Sequence, residues 1–196
     1  MRYFNIPDPS LDSTRQMFRD LENDKRDTKI DLGIGIYRDE KGEAPVFKAV
    51  KKAESILYQN EKSKSYKTPA GNSEYCKNIL DLVLGKTILN ERKHKVGAIQ
   101  IPGAGSGLRI AGELIKNNLQ NNLISIPNPT WGQQPFMFEK AGLKISKYTY
   151  YNQQSNFLDF NHMIDDLNKL KSGDSLLLHG CCHNPTGADL SLDQWE

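Results

Sequence analysis

From Val96 to Leu178 the chain alternates strand-like apolar runs with helix-like ones, and the strand-like runs end in polar turns rich in Gly or Pro. VGAIQI (96–101) reads as a short strand, PGAGSG as a turn, and LRIAGELIKNNL as a helix with Leu108, Ala111, Leu114 and Ile115 inward. LISIPNP is a strand with a Pro-broken end. Phe136 to Lys140 lies in a helix that Gly142 caps. KISKYTY alternates with period two and reads as a strand. Asn161 to Lys171 is a helix closed by Gly173, and SLLLHG is a buried strand. This order predicts an α/β domain with a mostly parallel sheet flanked by helices. Ligands of such sheets bind at the carboxyl ends of the strands. Three unusual turns fall there: PGAGSG, PNPTW and HGCCHNPTG.

The part before this is less regular. Residues 1–30 read as a polar arm and a short helix. Asp31 to Phe47 reads as a strand or extended segment with a turn at Lys41-Gly42. Val46, Val50, Ala53 and Leu57 recur at helical spacing, which predicts an amphipathic helix from Ala44 to about Asn60. A second helix, with Tyr75, Ile79, Leu82 and Val83 on one face, follows the loop SKSYKTPAGNSEY.

Composition narrows the class. A net charge of +2 over 196 residues, with scattered lysines, does not favour nucleic acid. No apolar run approaches the roughly 20 residues of a membrane helix, and MRYFNIPDPSLDST has no signal-peptide apolar core. Cys76, Cys181 and Cys182 cannot form a disulfide framework, and a reducing, cytoplasmic setting is expected. HGCCH lacks the ligand spacing and second cluster of a zinc site, so no metal is expected.

Each turn has a ligand reading and a plain one. PGAGSG opens a helix, so its free N–H groups can receive a phosphate, with Ser106 adding a hydroxyl; otherwise it is only a tight turn. It is no G-x-G-x-x-G, since Leu108 stands at the third position, and no acid lies between Glu113 and Glu139 to hold a ribose. No Lys follows as in a Walker loop. Trp131 can stack on a flat ring or cover the sheet edge. Asn184 can donate to a ligand oxygen, and Asn128-Pro129 and Asn184-Pro185 are the kind of bond that can be cis. His179 is a support behind such groups. His183 is read as structural, and Cys181 and Cys182 as small buried hydrophobes.

Taken with DLGIGIYRDEKGEAPVFKAVKKAE and YKTPAG, these motifs resemble the class I aspartate and aromatic-amino-acid aminotransferases, which use pyridoxal 5'-phosphate. CCHNPTGAD is the most specific of them and looks closest to the bacterial aromatic-type branch. The resemblance implies a fold type I pyridoxal-phosphate transferase: an incomplete large-domain sheet (41–196) behind an arm and part of a small domain (1–40). It implies that Gly103, Ala104, Gly105 and Ser106 hold the phosphate, Trp131 stacks on the ring and Asn184 hydrogen-bonds its phenolic oxygen. His179 supports them, Tyr66 reaches a partner subunit's phosphate in a homodimer, and the Gly35 N–H meets the substrate carboxylate. Substrates would be aspartate or an aromatic amino acid with 2-oxoglutarate. Two positions depart from the family. Gly103 and Gly105 replace Ser or Thr, so phosphate binding rests more on backbone N–H groups. Gln134 replaces a His three residues after the Trp.

Ser191 and Gln194 form a capping-box pattern five residues before the last residue, so the expectation is a truncated helix and a chain about half its family's length. The family places its cofactor-linking lysine, the acid at the pyridine nitrogen and the carboxylate-gripping arginine beyond HNPTG. No catalytic residue is therefore assigned, and the polypeptide alone is expected not to transaminate. A second reading is a non-catalytic remnant or interaction protein from a split or decayed gene. A nucleotide-binding module is the third.

Overall fold

The structure is a computed structural model and describes residues 13–31, 33–66, 68–92 and 95–196. Residues 1–12 of the expected arm lie outside them. The chain divides into two compact units, Met1–Ser65 and Tyr66–Glu196.

The first unit holds α1 (Ser13–Asn23) and α2 (Lys48–Asn60). The segment between them forms no strand among the described residues. It is extended, with the expected turn where the Gly42 N–H meets the Asp39 carbonyl at 2.9 Å and Gly42 has φ +77°. α2 starts four residues later than the spacing suggested. Phe47 is still extended (φ −61°, ψ 143°), and Pro45 just before it has no N–H to give. No residue of α2 is buried, although its apolar stripe is well formed.

The second unit opens with α3 (Ser73–Arg92), broken at Gly85, whose φ of +73° and ψ of 158° no helix contains. Its predicted apolar face is mostly uncovered: Leu82 and Val83 are exposed, and Cys76 is the buried residue. α4 (Ala104–Asn118), β1 (Leu123–Asn128), α5 (Gln133–Lys140) and β2 (Lys144–Thr149) follow. A small antiparallel ribbon, β3 (Tyr151–Asn152) and β4 (Phe157–Leu158), leads to α6 (Phe160–Leu167), β5 (Ser175–Leu176) and α7 (Leu192–Trp195). The order β2-β1-β5 is parallel throughout, with Leu123 opposite Lys144 and Ile124 opposite Ser175.

The expected strand 96–101 is not one. Its backbone is extended, but its only described main-chain bond to another segment runs from the Gln100 N–H to the Ala70 carbonyl at 2.9 Å. Apolar alternation marks a segment able to pair; it does not supply a neighbour. β5 is shorter than SLLLHG promised, and Leu176 and Leu178 are partly exposed because only one face of this edge strand is packed. α6 ends at Leu167, not Lys171, and is capped by Asp159, whose carboxylate accepts the His162 N–H.

One face of the sheet carries Ile124 and Ile126, packed with Phe138 and Leu143 and flanked by Leu108, Ile115, Ile145 and Leu177. Gly112 lets α4 approach this face. A Cβ there would stand 2.6 Å from Ala141 Cβ and 3.3 Å from Phe138 Cδ1. Leu114, expected inward, is 64% exposed because it points away from the stripe through Leu108, Ala111 and Ile115. The opposite face carries Tyr148 and, just beyond the strand, Tyr150, packed on Met163 of α6 with Leu158, Leu167 and Leu190. Among the described residues no helix is long and apolar enough to cross a membrane.

Candidate active site

Parallel strands joined by helices bring the end of β1, the end of β5 and the start of α4 to the same edge of the sheet. α4 lies along α5 in the same direction, with a Cβ at Gly105 standing 3.5 Å from Met137 Cε and one at Gly112 2.6 Å from Ala141 Cβ, so its first turn falls at the end of α5 that follows β1. Gly103 has φ +152°, open space around its α-carbon and no side-chain cap. The first α-helical bond of this turn is from the Gly107 N–H to the Gly103 carbonyl, at 3.1 Å. The N–H groups of Ala104, Gly105 and Ser106 precede it and have no intrahelical acceptor. A 15-residue helix adds the positive end of its dipole at the same point. Such a terminus suits a phosphate.

The peptide bonds Asn128-Pro129 and Asn184-Pro185 are both cis. Trp131 follows the first, half-buried, and its carbonyl accepts the Gln134 N–H at 2.9 Å as α5 begins. Asn184 precedes the second. Its side chain is exposed, while its main-chain N–H donates to His179 Nδ1 at 3.2 Å. His179 in turn meets the Gln134 amide, with Nε2 standing 3.2 Å from Oε1 and 2.9 Å from Nε2. The Thr130 hydroxyl donates to the same Oε1. A chain of polar contacts therefore ties the turn after β1 to the turn after β5.

A ring stack supports this chain from behind. His179 lies 4.3 Å from His183, and His183 lies 3.9 Å from Tyr150 at an interplanar angle of 13°. His183 is only 2% exposed, as its structural reading required. Its Nδ1 meets Thr186 Oγ1 at 2.9 Å, and its Nε2 is buried without a partner. Burial pushes its pKa down to about 4, helped by the neighbouring His179. Burial also lowers His179. Tyr150 is raised, first by burial, and its hydroxyl donates to the Ala188 carbonyl at 2.6 Å.

Asp189 closes the turn. Its carboxylate accepts the N–H groups of Cys182 (2.7 Å) and His183 (2.8 Å), which hold its pKa below the usual range. Cys181 and Cys182 are exposed, against expectation. With the backbone N–H of Cys182 turned inward to Asp189 and its φ at +53°, this turn faces both thiols to solvent.

The other predicted positions stand elsewhere. Tyr66 is fully exposed and lines a cavity of about 280 Å³ with Thr68, Gly71, Asn72 and Ser73. Gly35 belongs to the first unit, with no heavy atom near its absent Cβ. Sequence reasoning missed Thr130, Tyr150 and Asp189, and it took Gln134 only as a lost contact. Asp189 had a visible signal, being the one acid in the Cys181–Leu190 turn.

An α/β sheet whose carboxyl edge joins a bare helix start to cis-Pro turns carrying Trp131 and Asn184 defines a fold type I transferase of the pyridoxal-phosphate class. Residues 27–196 match the family model for aminotransferase class I and II, and the chain belongs to that family. It is 39% identical over 175 residues to the aspartate aminotransferase of Escherichia coli K12, covering 88% of this chain and 44% of that protein. It is 40% identical over 174 residues to the aromatic-amino-acid aminotransferase of Pseudomonas aeruginosa, covering 89% and 43%. The aromatic-amino-acid aminotransferase of Burkholderia pseudomallei, solved with pyridoxal phosphate covalently bound, superposes with a TM-score of 0.90 at 28% identity, over all of this chain and 49% of that one. The chain thus spans about half the length of the relatives it matches.

Proposed function

We propose that this chain carries the phosphate- and ring-binding half of a pyridoxal-phosphate aminotransferase acting between aspartate or an aromatic amino acid and 2-oxoglutarate. The observation that carries this reading is the uncapped start of α4 on the carboxyl edge of the sheet that also bears the Trp131 and Asn184 turns. Bound there, the cofactor supplies an electron sink for bonds broken at the amino-acid α-carbon. The N–H groups of Ala104, Gly105 and Ser106, with Gly103 leaving them open, and the Ser106 hydroxyl would hold the phosphate. The Trp131 indole would cover one face of the ring, the Asn184 amide would donate to the ring oxygen, and His179 would hold that turn in place. Gly35 would meet the substrate carboxylate. Tyr66, fully exposed in this chain, would complete the phosphate site of a partner subunit in a homodimer. The domain division at residues 40 and 41 and a cytoplasmic location belong to the same reading.

No lysine follows Lys171 in these 196 residues, so the polypeptide by itself would bind the cofactor without transaminating. A second reading, a chain that works by associating with another polypeptide, is favoured by Ile56, Leu57 and Tyr58, which leave one end of α2 apolar and exposed.

The test is titration of the chain with pyridoxal phosphate, followed by quenching of tryptophan fluorescence, alongside an assay of aspartate with 2-oxoglutarate. Saturable quenching without turnover is expected, with Asn184→Ala weakening binding about tenfold, the worth of one hydrogen bond. Equal binding in Asn184→Ala and Ser106→Glu would remove the site assignment. Turnover by the chain alone would remove the claim of inactivity.

A further inference from the structure

The polar chain across the sheet edge has a direction. The Asn184 main-chain N–H can only donate, so His179 Nδ1 must accept and carries no proton. A neutral imidazole then bears its proton on Nε2, and that proton needs an acceptor. Both ends of the Gln134 amide are within reach of Nε2, at 3.2 Å for the oxygen and 2.9 Å for the nitrogen, but only the oxygen accepts. The Thr130 hydroxyl donates to the same oxygen, whose two lone pairs can receive both protons. Gln134 is itself buried, at 8% exposure, so its orientation is decided by these partners and not by water.

We propose that Gln134 is a positioning residue: its amide oxygen holds His179 in the Nε2–H form, whose Nδ1 anchors the main chain of Asn184 at the sheet edge. That the anchored Asn184 serves a ligand rests on the function proposed above; the anchoring itself does not. Because Gln134 is uncharged it does not favour the imidazolium, so the anchor lasts as long as the ring is neutral, and burial carries that state to lower pH. The groups facing His179 agree with a neutral ring. His183 stacks on it with its own pKa lowered, Thr130 is neutral, and the charge of Asp189 is already engaged by two main-chain N–H groups. An acid at position 134 would reverse this. A carboxylate beside Nε2 favours the imidazolium, whose Nδ1–H would then oppose the Asn184 N–H, donor against donor.

The experiment is ¹⁵N–¹H long-range correlation of the histidine rings in the intact chain, from pH 8 to pH 5. A protonated Nε2 and a bare Nδ1 are expected for His179 at pH 8, where the ring is neutral. In Gln134→Glu the His179 midpoint should rise by about one to two pH units, the effect of one charged hydrogen bond. Affinity for pyridoxal phosphate should then fall at least about fivefold from pH 8 to pH 6 in that variant alone, as the imidazolium forms. In Gln134→Leu the tautomer should become mixed. Nδ1 protonated in the unsubstituted chain at pH 8 overturns the proposal, and so does a His179 indifferent to both substitutions. The first of these measurements needs no variant, so a variant that fails to fold leaves the proposal decided. The predicted tautomer with no binding of pyridoxal phosphate at either pH would uphold the anchor and dismiss the ligand role of Asn184.

Discussion

The two faces of the small parallel sheet were built from the same strands and ended differently. On one, Ile124, Ile126, Phe138 and Leu143 are sealed under α4 and α5, with Gly112 allowing the helices to meet. On the other, α6 covers the β2 end, but Leu176 and Leu178 of the β5 edge remain 38% and 39% exposed. A cavity of about 430 Å³ lies beside Ser125, Ser146 and Asp166 on that face, and Ser146 Oγ has no partner. The closed face is built on apolar side chains, with the buried Ser175 hydroxyl opposite Ile124 as its polar exception. The open face leads to the tyrosines, the stacked histidines and the candidate site. Stability should therefore reside on one side and sensitivity to conditions on the other.

The largest effect that would break this contrast is on the closed face. Phe138→Ala empties a site that α4, α5 and β1 all contribute to, and should lower stability by about 3–5 kcal/mol, read from urea unfolding. A loss of under about 1 kcal/mol, that of a typical point substitution, would show that this face is not the core.

Acid should act on the other side. The folded pKa of His183 is about 4 against an ordinary 6.5. The unfolded chain therefore takes up its proton first as the pH falls. Stability owed to the neutral ring is fully present above about 6.5, declines between there and about 4, and does not decline further from this group below that. Asp166 and Asp189 are depressed in the fold by their hydrogen bonds, so their contribution is lost only at lower pH, beneath the ordinary 3.8. Hydrogen-exchange protection, relative to the intrinsic rate at each pH, should fall from pH 7.5 to pH 5 more at Met163 in α6 than at Phe138 in α5. Substituting His183→Phe should shrink the difference. Equal loss of protection in both helices would mean that the two faces open as one unit.

Much of this was legible in the residues. The order helix, strand, helix, strand from Ala104 to Thr149 follows from apolar period and from turn residues that tolerate one conformation, such as Gly142 at φ +88°. The capping box at Ser191 is made as written, with the Gln194 N–H donating to the serine hydroxyl at 3.3 Å and the Ser191 N–H to Gln194 Oε1 at 2.9 Å. What was not legible depends on distant partners. Extended backbone at 96–101 needs a neighbouring strand, and the inward face of α2 needs a surface, and neither requirement is written locally. Within the candidate site, the residue types of Trp131, His179 and Asn184 announced themselves. A separation of 45 positions hid the contact of Gln134 with His179, because only the sheet brings those two turns side by side.

The smallest predicted effect is the sharpest probe of the open face. Leu178→Ser removes an aliphatic side chain that water already reaches on the exposed side of the β5 edge. About three fifths of its area is covered on folding, so stability should fall by about 1–2 kcal/mol, against about 3–5 for Phe138. Measured by urea midpoint over a range of protein concentrations, the loss should be constant. A larger loss that grows with concentration would mean that a second copy of the chain covers Leu178 in solution, since only binding links stability to protomer concentration. The open face would then be an interface, and its contrast with the face under α4 and α5 would belong to the isolated chain alone.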